Sequence, residues 1–178
     1  MYIKTILQSI LTEISTQSEN LPEDQLNHFI DTLINSKHIF LSGCGRSGLM
    51  IGAFANRLMH LGLEVSLVNE ITKPKANAGD LLIIGSSSGE TKSLICYAEQ
   101  AKKLGAKVAL FTANNSSTLA QLADIMVVMP NTIIKSKQPM GSTFEQLSLL
   151  IYDSIILSLM DKLQQSPEVM KSRHANIE

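Results

Sequence analysis

Five short, almost continuous apolar runs, separated by helical stretches, constrain the fold of this chain most strongly. The helical stretches between them are Ser47–Leu61, Thr91–Leu104 and a short one at Leu119–Ala123. Runs with little polar alternation are typical of strands buried on both faces, and strands that alternate with helices form right-handed βαβ units. The pattern therefore predicts an α/β fold with a doubly wound, five-stranded parallel sheet. Its strands are Ile39–Leu41, Val65–Val68, Leu81–Ile84, Val108–Phe111 and Ile125–Val128.

Further helices are expected on both sides of the sheet region. Apolar residues at helical spacing predict a first leading helix from Ile3 to Ile14, and Asn20 followed by Pro22 and Glu23 indicates the start of a second. A long helix is expected from about Thr143 to Leu163, and Ser166-Pro167-Glu168 can start a short C-terminal helical tail. Because no repeat or Pro/Gly-rich linker interrupts the chain, residues 1–178 are predicted to form a single domain.

Composition excludes several classes of function. Hydrophobic residues make up 44% of the chain and charged residues 17%, which suits a full apolar core. A formal net charge of -1 leaves no basic field for nucleic acid or for a membrane surface. The two cysteines, Cys44 and Cys96, form neither a disulfide framework nor a metal-binding pair, and the N-terminus lacks signal-peptide features. A cytoplasmic protein without a metal site is the expectation, with the apolar segment Leu147–Met160 as a buried helix.

The loop after the first strand, Ser42 to Gly48, is rich in glycine. Such a loop lets the backbone approach a ligand closely, and the helix that follows offers free N–H groups to an anion. Gly45, Arg46 and Ser47 are the candidate substrate-binding residues, with Arg46 supplying a fixed positive charge. The spacing Gly43-x-Gly45-x-x-Gly48 also fits a dinucleotide-binding loop, with Glu70 near the position of a ribose-binding acid. That alternative leaves the next loop unexplained.

The loop after the third strand reads Gly85-Ser-Ser-Ser-Gly-Glu-Thr91. Its hydroxyls and backbone amides converge on the start of a helix, as a phosphate site requires. We expect Ser86, Ser88 and Thr91 to contribute hydroxyls, and Ser87 and the residues after it to contribute amides. The alternative is a helix cap, but one serine would suffice for a cap.

The Ser-x-Ser-Gly-Glu-Thr segment from Ser86 to Thr91 resembles the phosphosugar loop of the SIS (sugar isomerase) superfamily. Segments similar to its 6-phospho-3-hexuloisomerase family are Gly45–Gly48, Arg57–Gly62, Pro139–Glu145 and Arg173–Asn176, and the similarity extends over nearly the whole chain. The resemblance implies interconversion of D-arabino-hex-3-ulose 6-phosphate and fructose 6-phosphate. It also implies a homo-oligomer, commonly a tetramer, no metal or redox cofactor, and hexulose-phosphate synthase as the functional partner.

Moving a carbonyl along a sugar requires a base that can transfer a proton between neighbouring carbons of an enediolate. Glu145, at the start of the last long helix, is the candidate; the residues alone are equally consistent with an ordinary N-terminal helix acid, and the resemblance favours catalysis. His174 is expected to act on substrate oxygens, from a tail folded over the site of another subunit. His60 is a weaker candidate for the same work.

Three alternatives remain open at this level. One is a related isomerase of arabinose 5-phosphate or of a heptose phosphate, and the second is a non-catalytic phosphosugar sensor. The third is a small NAD-binding protein. Subunit contact is expected through the broad apolar surface of the long helix, with Leu147, Leu150, Ile151, Ile155, Ile156 and Leu159.

Overall fold

The computed structural model describes residues 2–130 and 136–177, and it confirms the predicted α/β architecture. The five predicted strands are present and all pair in parallel. They are β1 (Ile39–Gly43), β2 (Val65–Leu67), β3 (Leu81–Gly85), β4 (Lys107–Thr112) and β5 (Ile125–Val128). The helices are α1 (Ile3–Ser18), α2 (Glu23–Ile34), α3 (Gly45–His60), α4 (Lys92–Lys103), α5 (Thr118–Leu122), α6 (Ser142–Lys162) and α7 (Pro167–Ser172). Residues 131–135, between β5 and α6 in the chain, lie outside the described residues.

Two apolar clusters, one on each face, cover the sheet. The larger contains side chains of α2, α3 and α6, and the smaller contains those of α4 and α5. Because β3 is apolar along its whole length, its side chains enter both clusters: Leu81 and Ile83 the first, Leu82 and Ile84 the second. This arrangement is the one expected for parallel strands buried on both faces.

The strand order is β2-β1-β3-β4-β5, so the chain reverses its direction of travel across the sheet between β1 and β3. Connections leave β1 and β3 towards opposite faces at such a point, which opens a crevice beyond the carboxyl ends of the two strands. Residue pairing places Gly43 directly beside Gly85 at those ends. The two loops singled out in the sequence therefore begin side by side.

Helix α6 is the one helix of the described chain that is long and apolar enough, by length and composition, to cross a membrane. In the fold it serves as a core helix, because Phe144, Leu147, Ile151, Ile155 and Leu159 are almost fully buried against the sheet side of the larger cluster. The broad apolar surface predicted for subunit contact is thus mostly occupied within the chain. Leu150 is the member of that predicted set that is exposed.

Helix α1, which the apolar spacing predicted, exposes much of its apolar face. Ile3, Leu7 and Leu11 are 78%, 50% and 49% exposed, whereas the polar residues Glu13 and Gln17 are buried. An amphipathic helix normally buries its apolar face. In a single copy of this chain, α1 leaves most of that face uncovered, although Ile14 packs against the larger cluster.

Candidate active site

Close backbone packing forms the first wall of the crevice. A Cβ atom on Gly43 would lie 2.9 Å from the Cα of Gly48, and one on Gly48 would lie 2.6 Å from the carbonyl oxygen of Gly43. The absence of side chains at both positions lets α3 begin directly against the end of β1. Its first residues, Gly45, Arg46 and Ser47, are thereby placed at the crevice, as the sequence predicted.

The serine loop forms the opposite wall and is folded upon itself by its own hydroxyls. The Ser86 hydroxyl accepts a hydrogen bond from the N–H of Gly89 at 3.2 Å, and that of Ser88 accepts one from the N–H of Glu90 at 3.3 Å. Thr91 occupies the N-cap position of α4 but makes no side-chain capping bond. The alternative that these hydroxyls serve simply to cap the helix is therefore wrong at Thr91.

The two walls and the start of α6 enclose a cavity of about 290 Å³. It brings together six residues predicted for substrate or catalysis from three separate segments. The lining residues from the predicted set are Ser47, Ser86, Ser87, Ser88, Thr91 and Glu145. Gly45 lines a neighbouring cavity of about 470 Å³, and Cys44 borders both. Hydroxyls, amides and one carboxylate thus converge on a space large enough for a small phosphorylated molecule.

Glu145 is held across the mouth of this cavity by an ion pair. Its Oε2 accepts a hydrogen bond of 2.8 Å from Nη1 of Arg46, and the side chains are 15% and 48% exposed, respectively. The residue lies in the first turn of α6 and its own N–H donates to the carbonyl of Gly141. A mostly buried carboxylate thus lines the same cavity as the serine loop, with the half-exposed guanidinium of Arg46 beside it.

The two predicted histidines meet each other rather than Glu145. The rings of His60 and His174 stack with centroids 5.3 Å apart, and Nη1 of Arg173 donates to the carbonyl of His60 at 2.9 Å, which holds the tail down. Burial, followed by the positive charges of Arg57 and His174, lowers the pKa of His60 below its ordinary value. His60 is therefore a neutral imidazole around pH 7.

Distance separates this histidine pair from the serine loop within one chain. Helix α3 rises about 1.5 Å per residue, so its two ends, Gly45 and His60, lie about 22 Å apart. The histidines line a separate cavity of about 520 Å³ between α3, α6 and α7. One chain does not bring them to the site of Glu145, and their action on substrate stays a prediction that requires a second subunit.

A larger cavity, about 620 Å³, lies elsewhere, between α4 and the loop before β3. Its described lining is mainly apolar, includes Phe40, Leu82 and Tyr97, and contains no carboxylate or imidazole for proton transfer. Size alone therefore does not identify the active site. Across residues 2–130 and 136–177, no group of three or more His, Cys, Asp or Glu side chains is placed to hold a metal ion.

Two residues near the site escaped the sequence prediction. Glu90 lies inside the predicted loop but turns away from the cavity, and its carboxylate accepts hydrogen bonds from Thr118. Glu13 of α1 is buried behind the segment that carries Glu145, where it accepts a hydrogen bond from the Thr143 hydroxyl. Glu90 was visible as part of the Ser-Gly-Glu-Thr segment, whereas no local sequence signal marked Glu13.

Comparison with known proteins agrees with this geometry. The SIS domain model matches residues 32–151. The chain is 44% identical to the 3-hexulose-6-phosphate isomerase of Bacillus subtilis over 95% of each chain, and 36% identical to that of Mycobacterium gastri over 97% of this chain and 89% of the other. A Methanococcus jannaschii structure, from which a 3-hexulose-6-phosphate isomerase function was inferred, has a TM-score of 0.83 at 35% identity and covers 95% of this chain and 93% of its own.

Proposed function

This chain belongs to the SIS domain family, and we propose on that premise that it is a phosphosugar isomerase that interconverts D-arabino-hex-3-ulose 6-phosphate and fructose 6-phosphate. The observation that carries the proposal is the shared cavity, in which Glu145 faces the hydroxyls and amides of the serine loop. Its similarity to named 3-hexulose-6-phosphate isomerases over nearly the full chain supports this substrate.

The reaction needs a phosphate anchor and a base at a fixed distance from it. We assign the phosphate to Ser86, Ser87, Ser88 and Thr91, where hydroxyls and amides supply short-range donors. Glu145 then removes the proton from C2 of the hexulose, which gives a cis-enediolate over C2 and C3. Return of that proton to C3, while the hydroxyl proton passes from O2 to O3, leaves the carbonyl at C2, so one carboxylate completes both transfers at carbon without loss of atoms.

Charge that develops on the enediolate oxygens requires a positive or hydrogen-bonding partner. We assign this role to Arg46, because its guanidinium contacts Glu145 at the mouth of the cavity and is about half exposed. Substrate that enters between them would exchange the carboxylate contact for sugar oxygens. The proposal assigns no metal or redox cofactor to this chemistry.

The proposal includes a homo-oligomer, with a tetramer as the expected form, and a cytoplasmic location. Support for association comes from the uncovered apolar face of α1, together with exposed Leu150 and Leu157 on α6. In such an assembly, His174 and His60 of one subunit would serve the oxygen proton transfers at the site of another. The functional partner would be the synthase that makes the hexulose phosphate.

A coupled assay tests the proposal. Hexulose 6-phosphate is generated from formaldehyde and ribulose 5-phosphate by its synthase, and the formation of fructose 6-phosphate is followed. We expect Glu145→Gln to lower kcat about 10²–10⁴-fold, as removal of a general base does. Glu23→Gln is the matched control, because Glu23 is also an acid in the first turn of a helix, α2, but lies outside the cavity.

The outcomes separate the alternatives. If wild type is inactive with hexulose 6-phosphate but turns over arabinose 5-phosphate or a heptose phosphate, the proposed active site stands and the proposed substrate is wrong. Binding of phosphosugars without any turnover would favour a sensor. An active enzyme in which Glu145→Gln behaves like Glu23→Gln would keep the reaction and contradict the assignment of Glu145 as its base. Binding of a nicotinamide cofactor would favour the dinucleotide interpretation of the first loop.

A further inference from the structure

The proposed function gives Glu90 no task, although this acid lies within the phosphate loop. A carboxylate directed at a phosphate would repel it. In the structure the side chain turns to the opposite side and accepts two hydrogen bonds of 2.8 Å from Thr118, one from its N–H and one from its hydroxyl. These bonds, first the backbone one and then the side-chain one, hold the pKa of Glu90 below its ordinary value.

The contact with Thr118 belongs to a larger set of bonds between the serine loop and the segment 112–119, which joins β4 to α5. The carbonyl oxygens of three consecutive loop residues accept hydrogen bonds from this segment. Ser87 accepts from the N–H of Ala113 at 3.1 Å and the Thr112 hydroxyl at 3.2 Å, Ser88 from the Asn114 side-chain amide at 3.2 Å, and Gly89 from the N–H of Leu119 at 3.1 Å.

The direction of these carbonyls determines the direction of the amides. In a planar trans peptide the C=O and the N–H of one unit point in opposite directions, and no cis bond occurs in the described chain. The N–H groups of Ser88, Gly89 and Glu90 therefore point away from the segment 112–119. The last two reach the hydroxyls of Ser86 and Ser88, and the N–H of Ser88 has no acceptor among residues 2–130 and 136–177.

We propose that Glu90 is a positioning residue for phosphate binding: its pair of bonds to Thr118 fastens the loop to the β4–α5 connection and so fixes the direction of the loop amides, with the N–H of Ser88 directed at the phosphate. The inference rests on the proposed phosphate role of this loop. It also explains why an acid within the loop does not repel the phosphate, because the carboxylate of Glu90 points to the other side of the loop and binds Thr118 there. Asn114 and Thr112 contribute to the same anchorage.

Two variants test this role from both ends of the contact. Glu90→Gln removes one charged acceptor, and Thr118→Val removes the hydroxyl donor from a residue outside the cavity lining. The measurements are KM and kcat for hexulose 6-phosphate, the dissociation constant of inorganic phosphate by calorimetry, and the thermal midpoint. Glu99→Gln on the exposed face of α4 is the control for loss of a surface acid.

Loss of anchorage should weaken phosphate binding more than chemistry. We expect both variants to raise KM and the phosphate dissociation constant together, by about tenfold, with a smaller change in kcat, while Glu99→Gln leaves both unchanged. The double variant should be no worse than about the poorer single one, because both remove the same contact. A lower thermal midpoint with unchanged KM and phosphate affinity in the soluble variants would overturn the proposal and leave Glu90 a purely structural role.

Because the dissociation constant of inorganic phosphate is measured without turnover, the role of Glu90 can be tested separately from the proposed isomerase function. If wild type binds inorganic phosphate but shows no hexulose 6-phosphate turnover, the isomerase proposal fails while the phosphate affinities of the variants still decide the role of Glu90. If wild type turns over substrate and Thr118→Val is folded with unaltered phosphate affinity, the positioning role fails and the isomerase proposal stands.

Discussion

At the scale of single residues, Gly89 illustrates how narrow the tolerance of the serine loop is. Its φ of +68° is strained for other residues, and a Cβ there would lie 2.0 Å from the hydroxyl of Ser117. Gly45 has a similar φ of +57°, but nothing lies within 4 Å of its Cβ position. Comparing alanine variants of these two glycines therefore distinguishes the cost of backbone strain from the cost of a steric collision.

We expect Gly45→Ala to cost about 1–2 kcal/mol in free energy of unfolding, the strain of a left-handed residue. Gly89→Ala should cost about 2 kcal/mol more, because Ser117 must move and its hydroxyl caps α5 by accepting from the N–H of Ala120. Urea unfolding of both variants measures the difference. Equal losses would contradict the predicted collision.

The buried imidazole of His60 makes stability depend on pH. Because its pKa in the folded chain lies below the ordinary value of 6.5, the unfolded chain binds more protons as pH falls. The stabilising contribution is complete above pH 6.5 and is lost as pH falls from there through the lower folded pKa. The charged or titratable groups around His60 are Arg57, Asp153, Lys171 and His174.

Thermal midpoints from pH 8 to pH 5 should therefore fall less steeply below pH 6.5 for His60→Gln than for wild type. His28→Gln, on the exposed face of α2, is the control and should keep the wild-type slope. Parallel curves for wild type and His60→Gln would show that His60 does not titrate abnormally.

At the scale of elements, α1 supports the start of α6 from behind. The buried Glu13 accepts hydrogen bonds from the Thr143 hydroxyl and, at 3.5 Å, from the side-chain amide of Gln138. Gln138 in turn exchanges two bonds with Gln146, at 3.0 and 2.9 Å. Burial raises the pKa of Glu13, but the hydrogen bonds from Thr143, Ser136 and Gln138 outweigh it and hold that pKa below the ordinary value.

Replacement of Glu13 by glutamine should loosen the segment that carries Glu145. We expect a loss of about 1–3 kcal/mol in free energy of unfolding, the usual range for a buried charged acceptor, together with a lower kcat. Urea unfolding and the coupled assay measure the two effects. Glu19→Gln, at the exposed end of α1, should stay within about 0.5 kcal/mol of wild type. Identical behaviour of the two variants would show that the Glu13 contacts are dispensable.

At the scale of the whole molecule, the uncovered apolar face of α1 predicts association between copies. A charge at the centre of that face should be costly in an assembly and harmless in a monomer. We expect wild type to be oligomeric by light scattering and Leu7→Asp to shift towards smaller species. Ile71→Asp is the control, since Ile71 is 99% exposed and lies far from α1 in the chain. A monomeric wild type would contradict both the association and the cross-subunit role of His174.

Secondary structure and the position of the serine loop were largely predictable from sequence. Five apolar runs gave the five strands to within one or two residues at each end, and Ser166 caps α7 as its Ser-Pro-Glu signature indicated. The start of α2 was less well predicted, because Pro22 rather than Asn20 is its N-cap residue and no side-chain cap forms. These features depend on neighbours a few residues away, where periodicity and capping rules apply.

What the sequence alone determined is therefore the order of elements, the sheet type and the positions of the glycine-rich loop after β1 and the serine loop after β3. Only the tertiary structure decided that Arg46 pairs with Glu145, 99 residues later, and that Thr118 holds Glu90. It also decided that α1 turns its polar side inward, where Glu13 accepts a hydrogen bond from Thr143. Such contacts join residues from different elements, and their formation depends on how those elements pack. A local pattern shows which face of a helix is apolar. It does not show whether that face is buried in the core of the same chain or against a second copy of the chain.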